Sequence, residues 1–414
     1  MSSRQAISVS ASQTLTKIAL VSGLTLLCGV VFSSPIEKLS TKLWAKFFGG
    51  NSAAVSGELL ERIWSNMLIG SFFLVTLALG GVLYIAISYV VGAGWNTAFR
   101  RVPEAMAGLL PITGMTLFVV LAIHMQQYGW HHHGAGDAGT FWFKELWLTP
   151  GFWLIRAAII LLLWTLFAKR IVSNSRQQDA TGHKNLTTSN VRLSALFLVV
   201  FGLSFSVASW DWIMALDPMW FSTVWATYHF SGLFQATLAV IILFSLLLRR
   251  NEGPLENIFN DEHLHDLGKL MIGFSCFWMY IWFCQYMLIW YANIPEETAY
   301  FIPRTQTSWG PVMILNITLN WGIPFLVLLP RSAKRSRGIM MKVACVVLVG
   351  RWVDLYIMVF PSTMGNTPLF GIWEVASICF FASLFGLCFT RAFATANPAP
   401  QQDPYLPESC HYHC

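Results

Sequence analysis

The sequence predicts an all-α polytopic membrane protein of about ten transmembrane helices. Four observations carry this. The chain of 414 residues is 55% hydrophobic and only 11% charged, where a soluble domain carries about 25% charged residues. Its mean hydropathy is +0.56. Ten apolar runs approach or exceed the ~17–25 residues that cross a bilayer. Nineteen Trp and thirty-one Phe suit helices that end in aromatic belts.

The runs lie near 17–33, 63–91, 104–125, 150–170, 193–214, 222–248, 268–293, 308–330, 338–360 and 372–392. Pro103, Pro150, Pro218, Pro254, Pro295, Pro330 and Pro361 punctuate them, together with charged turns. The first run is read as a retained helix rather than a cleaved signal peptide, because no small-x-small site precedes Pro35. The organisation expected is an N-terminal helix and outer loop in 1–62, and a four-helix bundle in 63–214 from spans two to five. A second four-helix bundle follows in 215–360 from spans six to nine, then a last helix and tail in 361–414.

Charge sets the orientation. With the N-terminus inside, six of the 26 lysines and arginines fall outside: Lys38, Lys42, Lys46, Arg62, Lys144 and Arg304. Arg156 and Arg351 lie within spans, and the remaining 18 fall inside. That asymmetry places both termini on the cytoplasmic side. It also accounts for the net charge of +6 without any nucleic acid partner.

Cysteines give little. Cys28, Cys276, Cys284, Cys345, Cys379 and Cys388 fall within spans and read as buried small hydrophobes. The tail CHYHC, Cys410 to Cys414, has metal-ligand types but sits at what reads as a frayed terminus, and His131–His133 read as solvated loop residues. No metal is expected. There is no iron–sulfur spacing, no P-loop and no Rossmann fingerprint. Histidines suited to ligate a membrane haem are too few, so no resident redox cofactor is expected.

The candidate site comes from polar groups inside spans, which usually face cavities, ion routes or ligands. Arg156, Asp211, His229, Arg351 and Asp354 all fall in the outer half, with His124 at the end of span three. Gln285 lies on span seven. Arg351 and Asp354 stand three apart on one helix face. The segment SWDWIMALDPMWFST (209–223) puts Asp211 seven residues before Pro218. Asp354 likewise stands seven before Pro361, an echo that suggests two parallel repeats. Asp217-Pro218 reads as an ordinary interfacial turn. On the inner side, His265, Asp266 and Lys269 are candidates for proton entry. Ser204, Ser206, Ser275, Tyr280, Asn316 and Thr318 lie between the two levels and could join helices or carry protons.

Three stretches carry a resemblance: SWDWIMALDPMWFST, HLHDLGKLMIGFSCFW and QYMLIWYANIPEETAYF. They resemble alternative complex III, a bacterial quinol:cytochrome c oxidoreductase, and within it the second and smaller of the two quinone-binding-type membrane proteins. That family is akin to the NrfD/polysulfide reductase membrane anchors. The likeness runs from the second span to the tenth. It implies ten helices in two four-helix bundles, in the bacterial inner membrane. It implies partners: multihaem cytochrome c and iron–sulfur subunits, and a larger sister NrfD-like subunit that holds the main quinol oxidation site. It also implies that the protein lacks a redox centre of its own, with no covalent or metal cofactor and quinone or quinol as the candidate ligand. The role expected is support of quinol oxidation at the outer face, with proton translocation as a further possibility. A purely structural anchor and a small-anion transporter are the alternatives.

Overall fold

The computed structural model describes residues 9–31, 58–123, 125, 128, 130, 146–250 and 253–413. Helices make up most of them, and no strand is found among the described residues. Helix α1 spans Val9–Val31 and α2 spans Glu58–Val90. The third span is split into α3, Arg101–Ala107, and α4, Leu110–Ile123. Helices α5, Pro150–Thr181, and α6, Asn185–Trp212, follow. Then come α7, Trp225–Leu248, and α8, Asp261–Ala292. The eighth span is α9, Gly310–Ile317, a π-helical turn at Thr318–Gly322, and α10, Ile323–Leu328. Helices α11, Arg337–Met364, and α12, Ile372–Phe393, complete the set.

Among the described residues, nine helices are long and apolar enough to cross a membrane. They match spans two to ten. The first predicted span also forms a helix, α1, which packs on α12. Local chemistry explains the ends. Pro150 occupies the first turn of α5, where its missing N–H costs nothing. Gly182, with φ of 69°, closes that helix in the left-handed conformation. Asn260 caps α8 by accepting from the amides of Glu262 and His263.

Helices α2, α7 and α11 are buried along most of their length, and α5, α6, α8 and α9–α10 keep one face outward. The core is therefore a three-helix centre. Helix α2 touches α3, α4 and α6 on one side and α7, α11 and α12 on the other. Helix α7 packs on α8 and α11. Gly80 lets α2 and α7 approach closely, since a Cβ there would collide with the Thr237 side chain.

The C-terminal segment is not frayed. Asp403 pairs with Arg100, both nearly fully buried. Ser409 donates to the carbonyl of Trp95 and accepts from the amide of Ala98. Tyr412 stacks on His263 and donates to Asp266. This docked end defines one face of the molecule, the tail face, where α8 begins.

Candidate functional site

Two carboxylate–arginine centres lie toward the face opposite the tail. The first is built on α5 and α6. Asp211 stands one residue before the end of α6 and is 2% exposed. Arg156 Nε donates to Asp211 Oδ2 at 2.9 Å, and Trp147 Nε1 donates to Oδ1 at 2.7 Å. Trp153 Nε1 donates to the Asp211 carbonyl at 3.1 Å. The guanidinium lies 4.0 Å from the Trp147 ring and 4.5 Å from Phe152, a cation held between two aromatic faces. Its two terminal nitrogens, Nη1 and Nη2, are buried and have no hydrogen-bond partner among the described residues. Phe152 itself faces outward.

The second centre belongs to α7, α8, α9 and α11. Asp354 and Arg351 are each about 1% exposed and pair across one turn. Tyr228 and Asn316 donate to Asp354 Oδ1, the latter at 3.0 Å, and Trp278 Nε1 donates to Oδ2 at 3.3 Å. Arg351 Nη2 lies 3.3 Å from His229 Nδ1. Gly232 makes room for the guanidinium, which a Cβ there would strike. This carboxylate is enclosed by four donors. His229 Nε2 is buried with no hydrogen-bond partner among the described residues, and the ring faces Phe72 and Trp225 at 5.4 and 5.1 Å between centroids.

From Asp354 a line of buried amides runs toward the tail face. Asn320 Nδ2 donates to Asn316 Oδ1 at 2.7 Å. Gln235 Nε2 donates to the Asn320 carbonyl at 2.6 Å and to Ser275 at 2.9 Å. Asn320 sits in the π-helical turn, a feature that recurs at functional sites because it re-aims side chains and frees backbone groups.

Phe72 of α2 stands between the centres, 6.3 Å from the Trp212 ring and 5.4 Å from His229. His124 lies outside the described residues. Gln285 bonds Ser222 at 2.9 Å and belongs to neither centre. Of the six polar residues between the two levels, Ser275 and Asn316 join the amide line. Ser206 and Thr318 bond carbonyls of their own helices, Tyr280 faces outward, and Ser204 accepts from Trp164.

At the tail face Asp266 bonds Lys269 and Tyr412, with His265 Nδ1 at 3.6 Å. Where α3 begins and α5 ends, the chain also forms a buried ionic group that sequence reading misses. Arg101 bridges Glu104 and Asp179, and Ser175 donates to Glu104 at 2.6 Å. In sequence the double arginine looks like loop charge alone.

Arg304, which the charge pattern assigns to an outer loop, is buried. It donates to the carbonyls of Ile357 and Met358 at 3.0 and 3.1 Å and pairs with Asp217 at 3.5 Å. Ser362 donates to Asp217 at 2.6 Å. The Asp217 turn is thus tied to α11. The echo between Asp211 and Asp354 does not extend to local structure, for α6 ends at Trp212 while α11 continues through Pro361.

Among the described residues, no group of three or more His, Cys, Asp or Glu is placed to hold a metal. The chain matches no protein-family model, and no curated protein is significantly similar to it.

Proposed function

We propose that this membrane protein is a subunit of a respiratory quinol:electron-acceptor oxidoreductase, of the alternative complex III and NrfD-like kind. It sits in a bacterial inner membrane with the tail face cytoplasmic. In this reading it supports quinol oxidation at the opposite face beside a sister membrane subunit. Electrons pass to iron–sulfur and multihaem cytochrome c partners. Quinone is its only cofactor.

The observation that carries the reading is Arg156 beside Asp211. A quinol hydroxyl needs an acceptor for its proton, and Asp211 is a carboxylate held in place by Arg156 and Trp147. A quinone oxygen needs donors, and the terminal nitrogens of Arg156 have N–H groups to give. The neighbouring rings of Trp147 and Phe152 offer flat faces. For proton translocation this reading offers the buried polar line from Asp354 through Asn316, Asn320 and Gln235 to Ser275 as a place where waters would bridge. Nine residues of α8, about 13 Å, separate Ser275 from Asp266, the candidate entry with His265 and Lys269.

One observation favours a second reading, a structural anchor. The Asp354 centre is closed, with each carboxylate oxygen already taken by two donors. The decisive measurement is Asp211→Asn in the assembled complex. Quinol oxidation falls at least tenfold if Asp211 accepts the proton. Unchanged quinol oxidation and proton release would overturn the assignment in favour of the anchor.

A further inference from the structure

A groove on the outside of the helix assembly has no part in either centre. It is a cavity of about 310 Å³ lined by Phe230, Lys269, Leu270, Gly273, Phe274 and Phe277. Phe230 comes from α7 and the rest from α8. Phe230 and Phe274 pack at 6.2 Å and Phe274 and Phe277 at 6.0 Å, so aromatic rings form its walls. Gly273 leaves the floor open, since a Cβ there would meet nothing within 4 Å.

Five of the six lining residues are apolar, and the sixth is a cation at one end. Helix α8 opens with the charged run Asp261 to Lys269 and turns apolar at Leu270. Lys269 therefore stands where headgroups meet hydrocarbon on the tail-face side. Its side chain is 48% exposed and bonds Asp266. From Lys269 to Phe277 is eight residues, about 12 Å along the helix. A leaflet is half of the ~30 Å hydrocarbon core, so the groove is about one leaflet deep.

We propose that this groove binds one acyl chain of an anionic phospholipid from the tail-face leaflet, with the phosphate on Lys269. The chain lies along Leu270, Gly273, Phe274 and Phe277 and covers Phe230. An apolar slot that starts at an ammonium and ends near mid-membrane matches a lipid in shape and in charge. The inference needs only that the protein spans a bilayer and is independent of quinol chemistry.

The test uses the full chain purified in mild detergent, stripped of lipid, and titrated with phosphatidylglycerol, phosphatidylcholine or a prenylated quinone under native mass spectrometry. The wild type retains one phosphatidylglycerol and prefers it to phosphatidylcholine. Gly273→Phe fills the slot and lowers that retention about tenfold. Lys269→Ala keeps lipid binding but removes the preference for the anionic headgroup. Leu203→Phe, on the outward face of α6, changes neither and guards against a general effect on folding. Retention in Gly273→Phe equal to the wild type would overturn the proposal. So would a Gly273-dependent site that takes quinone and no phospholipid.

Discussion

Arg304 donates from Nε to the carbonyl of Ile357 at 3.0 Å, the acceptor that Pro361 deprives of its helical N–H. A proline inside a helix removes the bond to the carbonyl four residues back. Here a side chain 53 residues away in sequence replaces it. That exchange lets α11 run on to Met364 and brings Ser362 to Asp217.

Arg304→Met leaves the Ile357 carbonyl without a donor, at about 1–3 kcal/mol for a buried unsatisfied group. Pro361→Ala restores an N–H for Ile357. The expected outcome is that Arg304→Met lowers the thermal midpoint in detergent markedly in the native background and less in Pro361→Ala. Equal losses in both would mean that Arg304 acts elsewhere.

Asp354→Ala strands a buried guanidinium, which costs about 3–5 kcal/mol. Adding Arg351→Met to that variant removes the stranded charge and recovers part of the loss. Unfolding monitored by tryptophan fluorescence distinguishes this from two losses that simply add. Additive losses would show that the pair does not act as a unit.

Trp147→Phe keeps an aromatic face over Arg156 but deletes the donor to Asp211. Hydrogen bonds to charged groups contribute about 1.5–3 kcal/mol. If the proposed role holds and Asp211 accepts the quinol proton, quinol oxidation by the proposed complex falls roughly tenfold or more while the protein still folds. An anchor would show no change in rate.

Partial burial raises the Cys410 thiol above its ordinary value, so it carries less thiolate at neutral pH than a free cysteine. Asp403→Ala breaks the buried pair with Arg100 and loosens the tail. Maleimide labelling of Cys410, followed in a Cys414→Ser background, is then expected to be faster in Asp403→Ala. An unchanged labelling rate would mean that other contacts hold the tail alone.

Apolar runs make spans two to ten legible because a bilayer demands about twenty apolar residues whatever packs beside them. Their polar extensions are less so. Helix α8 begins at Asp261 rather than near 268, because Asn260 caps it and its charged turns pack against the tail. The Arg351–Asp354 pair is readable from a spacing of three. The Arg156–Asp211 pair spans 55 residues and two helices, and no local pattern announces it. Trp147 and Arg304 are hidden for the same reason, since each acquires its partner only through the fold. A proline seven residues past each aspartate suggests a repeat, but one proline follows its helix and the other lies inside it.

Helix α2 is the most enclosed of the spanning helices, yet nearly everything that encloses it is made later. Its partners α6, α7, α11 and α12 all follow it in the chain. Arg62 and Asn66 meet Glu374 only after about 300 further residues have been made. Until α12 is made, Asn66 on α2 lacks its Glu374 partner, and the faces that α6, α7 and α11 later cover stay open. Assembly of this protein thus closes around one of its earliest spans, and an interruption of synthesis before α12 is expected to leave that helix open to proteolysis.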